Sequence, residues 1–189
     1  MRPLEVLRLP ADEAGVKSLR SEEGFGLIEL LISMMMLNIG ILAIVAAYQT
    51  GTFALNRASK ISTASALADQ QMELYRAIKY DAIALDSSSL GSVDNTYKCD
   101  SALGSSCPNS TSGETTTTCS GSPLPNQCLP SRSVTGADRK PYRVDTYVTL
   151  TTPSSARALK VVTVVVRDGQ KLSARPLARL SSTFDQSTG

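Results

Sequence analysis

The hydrophobic pattern of the chain changes twice, and its first part is the most apolar. From Phe25 to Tyr48 the strongly polar side chains are limited to Glu29, Ser33 and Asn38. A helix of that length spans roughly 30 Å, which matches the hydrocarbon core of a bilayer. The sequence therefore predicts that this segment is a membrane-spanning helix.

After Tyr48 the pattern becomes amphipathic, and no proline interrupts it before Ile83. Apolar residues recur at three- and four-residue steps, as expected for one face of a helix. These residues are Ile61, Ala64, Ala68, Met72, Tyr75, Ile78 and Ala82. We therefore expect the helix to continue through residues 49–85 and to lay this apolar stripe on a sheet.

From Pro141 onward the pattern has a period of two, which is typical of strands. One face of the first strand carries Tyr142, Val144, Thr146, Val148 and Leu150, and the other carries Arg143, Asp145 and Tyr147. The next segment, Leu159 to Arg167, is apolar on both faces, and we expect it to be the central strand.

The chain is then predicted to turn back at Asp168-Gly169 as a hairpin. A third strand would run from Leu172 to Leu180, and Pro176 in its middle assigns it to an edge. The sequence therefore predicts an α+β fold, in which a long N-terminal helix, transmembrane and then amphipathic, packs on a small antiparallel sheet of three to four strands.

Residues 86–140 are rich in Ser, Thr, Gly and Pro, which is typical of loops. The segment also contains four cysteines, Cys99, Cys107, Cys119 and Cys128, for which three pairings exist. We favour Cys99–Cys107 with Cys119–Cys128, because short loops close at the least entropic cost. A zinc site is the alternative, but the chain has no CxxC pair and no histidine.

The composition does not favour catalysis. Without histidine there is no Ser–His or Cys–His nucleophile, and no phosphate-binding or dinucleotide glycine motif is present. We predict no catalytic residue, no cofactor and no metal. The net charge of +2 is too small to indicate a nucleic-acid partner by itself.

Glu29 is the unusual residue of the apolar segment. A charge inside a membrane costs on the order of 2 kcal/mol or more, so the carboxylate either pairs with a partner or reaches the interface. Glu29 belongs to the sequence Gly24-Phe25-Gly26-Leu27-Ile28-Glu29-Leu30. This heptapeptide resembles the processing site of type IV prepilins.

The resemblance implies that a prepilin peptidase cuts between Gly24 and Phe25 and methylates the new amino terminus. Glu29 would then neutralise the terminal amine of a neighbouring subunit during filament assembly. The implied domains are a leader peptide (1–24), the transmembrane half of the helix (25–48), its amphipathic half (49–85) and a pilin head (86–189). The implied partners are the peptidase, other pilins, the inner-membrane assembly machinery and the membrane itself, with the head outside the cytoplasm and later on a pilus.

Two stretches of the helix, residues 39–44 and 66–73, resemble PilV-type minor pilins, and the lack of a mid-helix proline favours a minor subunit. Minor pseudopilins of type II secretion systems share this kind of helix and remain an alternative. An unprocessed single-pass anchor is a further one.

A tip-located binding head is another alternative. Between residues 139 and 179 the sequence holds nine basic residues, Arg139, Lys140, Arg143, Arg157, Lys160, Arg167, Lys171, Arg175 and Arg179. Such a basic sheet could hold nucleic acid by its phosphates, or the head could be an adhesin. We favour the simpler interpretation of a solvated, charged edge that discourages strand pairing.

Overall fold

The structure is a computed structural model that describes residues 26–152 and 157–186. It divides into two compact units, Met1–Tyr48 and Gln49–Gly189. The helices are α1 (Leu27–Arg76), α2 (Ser87–Gly91) and α3 (Asn95–Lys98), with short 3-10 turns at Tyr80–Ala82 and Asn126–Cys128. The strands are β1 (Leu85–Asp86), β2 (Thr116–Thr117), β3 (Ser131–Thr135), β4 (Pro141–Thr151), β5 (Leu159–Asp168) and β6 (Ala178–Phe184).

A four-stranded antiparallel sheet in the order β3-β4-β5-β6 forms the centre of the second unit. In the β4–β5 pair, Val144 lies opposite Val166 and Val148 lies opposite Val162. β1 and β2 form a separate parallel pair. The backbone N–H of Thr115 donates to the carbonyl of Val148, which ties this pair to the edge of β4.

The C-terminal part of α1 packs on one face of this sheet. Its buried apolar residues share one core with the inward-facing residues of β4 and β5, namely Ala64, Leu67, Ala68, Met72 and Tyr75 with Tyr142, Val144, Val148, Val162, Val164 and Val166. At the end of this contact Lys60 Nζ lies 2.5 Å from Asp168 Oδ2. The predicted α+β fold, with a long helix packed on a small antiparallel sheet as in pilins, is confirmed.

The opposite face of the sheet is covered by the segment around α3. Tyr97 of α3 stacks on Tyr147, with 4.3 Å between ring centroids. Arg143 and Tyr147 alternate with Val144 and Val148 along β4, so they point away from α1. The predicted loop region therefore forms a second layer over the sheet.

α1 ends at Arg76, before the predicted end at residue 85. Lys79 is already extended, and Ile83, Ala84 and Leu85 are buried one after another. A surface helix buries only one stripe, so three consecutive buried residues require a different conformation. The predicted amphipathic half of the helix, 49–85, is therefore too long at its C-terminal end.

Two strands differ from the prediction. β6 begins at Ala178 because Pro176 has no N–H to donate, and the ladder starts only when the Leu177 N–H reaches the Val166 carbonyl. Residues 169–177 are thus a long connection and not part of the strand, although β6 is an edge strand as predicted. β3 was predicted as loop because Val134 is its only apolar residue and Arg132, which precedes it on the same face, is charged, so the sequence shows no apolar alternation.

Candidate assembly helix and its head

The N-terminal part of α1 exposes an almost unbroken apolar surface. Its large hydrophobic side chains are half or more exposed at most positions, from Leu27 through Leu42 and Ile44 to Phe53 and Leu55. Among the described residues α1 is the one helix long and apolar enough to cross a membrane, with a mean hydropathy of 2.4 over its most apolar 18 residues. Such a surface needs lipid or protein around it, because in water it would expose a large apolar patch.

Glu29 lies in the first turn of α1, where its backbone N–H donates to the Gly26 carbonyl at 2.9 Å. A negative charge there is favoured by the helix dipole. Its side chain is exposed, and none of the ion pairs among the described residues involves it. Asn38, by contrast, donates its side-chain amide to the Met34 carbonyl at 2.9 Å within the same helix.

The predicted processing residues Gly24 and Phe25 lie outside the described residues. The cleavage between them therefore stays a prediction from the sequence. Gly26, which follows them, is the first residue described and accepts the first hydrogen bonds of α1.

Two disulfides close the predicted short loops, Cys99–Cys107 and Cys119–Cys128. The second one fixes a segment that is docked on α1. Tyr75 Oη donates to the Gln127 carbonyl at 2.6 Å, and Gln71 Nε2 donates to the Asn126 carbonyl at 3.2 Å. The disulfide therefore holds this segment in place against the helix.

Replacing Cys119 and Cys128 together by serine should lower the free energy of unfolding by about 2–3 kcal/mol, the value expected for opening a loop of this length. The loss should show as a lower urea midpoint of the oxidised full chain in detergent micelles. The Cys99→Ser/Cys107→Ser variant opens a loop of similar length whose cysteines are exposed, and it provides the comparison. An unchanged midpoint in the Cys119→Ser/Cys128→Ser variant would contradict the role assigned to this bridge.

A partly buried arginine–aspartate network, which the sequence did not predict, attaches α3 to the sheet. It consists of Arg143, Arg167 and Arg179 with Asp94, Asp100 and Asp145. Arg143 forms a bidentate pair with Asp94, at 2.5 and 2.7 Å, and its Nε donates to Asp145 Oδ1 at 2.7 Å. Four members are buried, namely Arg143, Arg167, Asp100 and Asp145, whereas the Asp94 and Arg179 side chains are 50% and 36% exposed. The buried members are two cations and two carboxylates, so their charges balance, as burial requires.

The two ends of α3 are held by different members of this network. Asp94 caps the N-terminus of α3 by accepting from the Tyr97 N–H at 3.0 Å while it also binds Arg143. Asp100, just after α3, pairs with both Arg167 and Arg179. The helix is thus attached to β4, β5 and β6 by side chains that are distant in sequence.

Burial and pairing act in opposite directions on these carboxyl groups. The pKa of Asp94 is lowered to about 2, chiefly by the hydrogen bonds from Arg143. Burial raises the pKa of Asp145 above its ordinary value, although Ser131, Arg143 and Arg167 oppose this effect. The charge of Asp145 therefore depends on its arginine partners.

The network also changes the interpretation of the basic residues. Arg143, Lys160 and Arg167 are buried, with 6 to 8% of their surface exposed, and are not part of a solvated edge. Lys160 Nζ donates to the Tyr80 carbonyl at 2.7 Å and lies over the Tyr80 ring. These three residues cannot reach a phosphate backbone unless the head opens.

No group of three or more metal-ligating side chains lies together in the part of the chain that the structure describes. The cysteines there are all in disulfides. Comparisons with protein-family models, with curated proteins and with solved structures found no match to this chain.

Proposed function

We propose that this chain is a minor pilin, a low-abundance subunit that enters a type IV filament through its N-terminal helix and helps to initiate or modify assembly. The observation that carries the proposal is the exposed apolar part of α1 with a single carboxylate, Glu29, in its first turn. The resemblance of residues 24–30 to a prepilin processing site gives this carboxylate its role.

The chemistry of the pair supports the proposal. After cleavage before Phe25, each subunit would carry a terminal ammonium and a carboxylate in the same apolar layer. An ammonium and a carboxylate that meet in a low dielectric offset each other's desolvation. Glu29 lies about one turn along the axis from its own terminus, and a staggered neighbour can bring its ammonium level with this carboxylate.

In this proposal the helix first anchors the chain in the inner membrane, with the head outside the cytoplasm. The peptidase and the assembly machinery are its partners there, and other pilins are its partners in the filament. The disulfides of the head suit an oxidising compartment outside the cytoplasm.

Two alternatives differ from a minor pilin, one in the system that the chain joins and the other in what the head does. A minor pseudopilin would use the same helix in a type II secretion system. A nucleic-acid-binding or adhesive tip would need an exposed surface. The burial of Arg143, Lys160 and Arg167 leaves the exposed basic residues as candidates for it, namely Arg139, Arg157, Lys171, Arg175 and Arg179. Neutralising Arg175 and Arg179 should abolish capture without affecting incorporation if the tip binds nucleic acid.

The proposal is tested by shearing filaments from the native host and detecting the chain in the sheared fraction. We expect a small but reproducible amount there, which disappears when the filament's major subunit is deleted while the membrane pool remains. A chain that stays entirely in the membrane fraction of filament-producing cells would contradict the proposal.

A further inference from the structure

The hydroxyl of Tyr97 lies between two acceptors at the edge of β4. It is 2.6 Å from the Thr146 carbonyl oxygen and 2.7 Å from Glu114 Oε1. The ring is buried and stacked on Tyr147, so the hydroxyl cannot move away without disturbing the stack. Glu114 sits in the strand-like segment before β2, where it pairs with Thr149 of β4.

The number of hydrogens available for these two contacts determines whether Glu114 is neutral or ionised. A phenol has one hydrogen to donate, and a carbonyl oxygen can only accept. If Glu114 is ionised, it also can only accept, so one of the two short contacts joins two oxygens without a hydrogen between them. If Glu114 is neutral, it donates to the Tyr97 oxygen while Tyr97 donates to Thr146. Only the neutral acid satisfies both contacts.

The surroundings of Glu114 favour the same state. The residue is 7% exposed, and its second oxygen, Oε2, is buried without a hydrogen-bond partner among the described residues. No described cation forms an ion pair with it. The titratable and charged groups around this contact, from the elements that pack against it, are Tyr75, Tyr97, Arg132, Asp145 and Tyr147.

We propose that Glu114 is a proton-operated latch, whose neutral carboxyl holds the segment from α3 to β2 on the sheet and whose ionisation loosens that segment. When the carboxyl ionises, Tyr97 must turn its hydrogen toward Glu114 and leave the Thr146 carbonyl unpaired. The affected segment covers one face of the sheet and forms part of the exterior of the head. The inference does not depend on the proposed function, because it concerns the head alone.

The direction of the pH effect follows from the raised pKa. Burial raises the pKa of Glu114 from 4.5 to about 7, although the Tyr97 hydroxyl and the Val148 N–H act against this. Between about pH 4.5 and pH 7 the folded head therefore binds a proton that the unfolded chain has released. Its stabilising effect is complete below about pH 4.5 and is lost as the pH rises to about 7. The unfolding equilibrium constant should rise roughly a hundredfold across the window.

The test compares the full chain with its Glu114→Gln variant in detergent micelles, by urea unfolding at pH 5 and pH 8. Glutamine keeps the shape of the neutral acid and can donate to the Tyr97 oxygen. We expect the hundredfold rise of the unfolding constant to be present in the wild type and absent in Glu114→Gln. Glu73→Gln, at an exposed carboxylate, should behave as the wild type. Because Asp145 is present in all three proteins, its own titration cancels in the comparison.

Two further measurements keep the proposal testable if Glu114→Gln does not fold. With ¹³C-labelled glutamate carboxyls, one resonance of a chain that carries Glu29→Gln should titrate near pH 7. At pH 8, amide exchange of Thr115, which bonds to β4, should be faster relative to central Val164 than at pH 5, after correction for intrinsic rates. Any one of three results would overturn the latch. The first is an equal pH dependence of unfolding in the wild type and Glu114→Gln, and the second is an ordinary titration of every glutamate. The third is an exchange rate of the Thr115 amide that changes with pH in the same way as that of Val164.

Discussion

Replacing Glu29 by alanine is expected to lower the amount of this chain in sheared filaments about a hundredfold. The reason is that the variant leaves the terminal ammonium of a neighbouring subunit without a counter-charge in an apolar layer. Removing one partner of a buried ion pair costs about 3 kcal/mol, and each 1.4 kcal/mol corresponds to a factor of ten. The measurement is the ratio of sheared to membrane-bound chain by quantitative immunoblot.

The matched controls distinguish the effect of losing the charge of Glu29 from the effect of a smaller side chain and from a defect in folding. Glu29→Gln keeps the size of the side chain but removes the charge, so it should be as defective as alanine. Glu73→Ala removes an exposed carboxylate from the part of α1 that carries the head, and it should be incorporated normally. Normal incorporation of both Glu29 variants would show that this carboxylate has no part in assembly.

The second large effect is expected in the head. Asp145→Ala should lower the free energy of unfolding by about 3 kcal/mol or more, because Arg143 and Arg167 then keep their charges in a buried site with one carboxylate fewer. The loss should show in urea unfolding of the full chain in micelles, followed by the near-ultraviolet signal of the tyrosines. Tyr97 and Tyr147, stacked beside the network, make this signal a local reporter.

Asp69→Ala is the matched control for this experiment, because Asp69 is an exposed carboxylate on α1 and its loss should change the free energy of unfolding by about 0.5 kcal/mol or less. Asp145→Asn should lie between the two, since the amide can still accept from Arg143 Nε. Equal stability of Asp145→Ala and Asp69→Ala would mean that the arginine–aspartate network contributes nothing to the fold.

The parts of the fold that could be predicted are those with local patterns. The stripe that includes Ala68, Met72 and Tyr75 repeats every three or four residues, and β5 holds five valines in six consecutive positions, so both elements are visible in short windows of sequence. The disulfide pairs also follow from short spacings.

The network and the latch could not be predicted, because their partners are distant in sequence. Arg143 and Asp94 are 49 residues apart, and Arg167 and Asp100 are 67 apart. The aspartates lie in a segment rich in serine and threonine that resembles loop, and a charged residue in such a segment is ordinarily solvated. The alternation in β4 predicts that Arg143 and Asp145 share one face of the sheet. It does not predict the layer that buries this face.

The proposed pilin pathway is tested most directly at the amino terminus of the mature chain. The measurement is the intact mass and terminal sequence of the protein purified from membranes of cells with and without prepilin peptidase. We predict a chain that begins at N-methylated Phe25 in the first case and retains residues 1–24 in the second. Retention of residues 1–24 in both kinds of cell would contradict the pilin pathway, and the role proposed for Glu29 would fall with it.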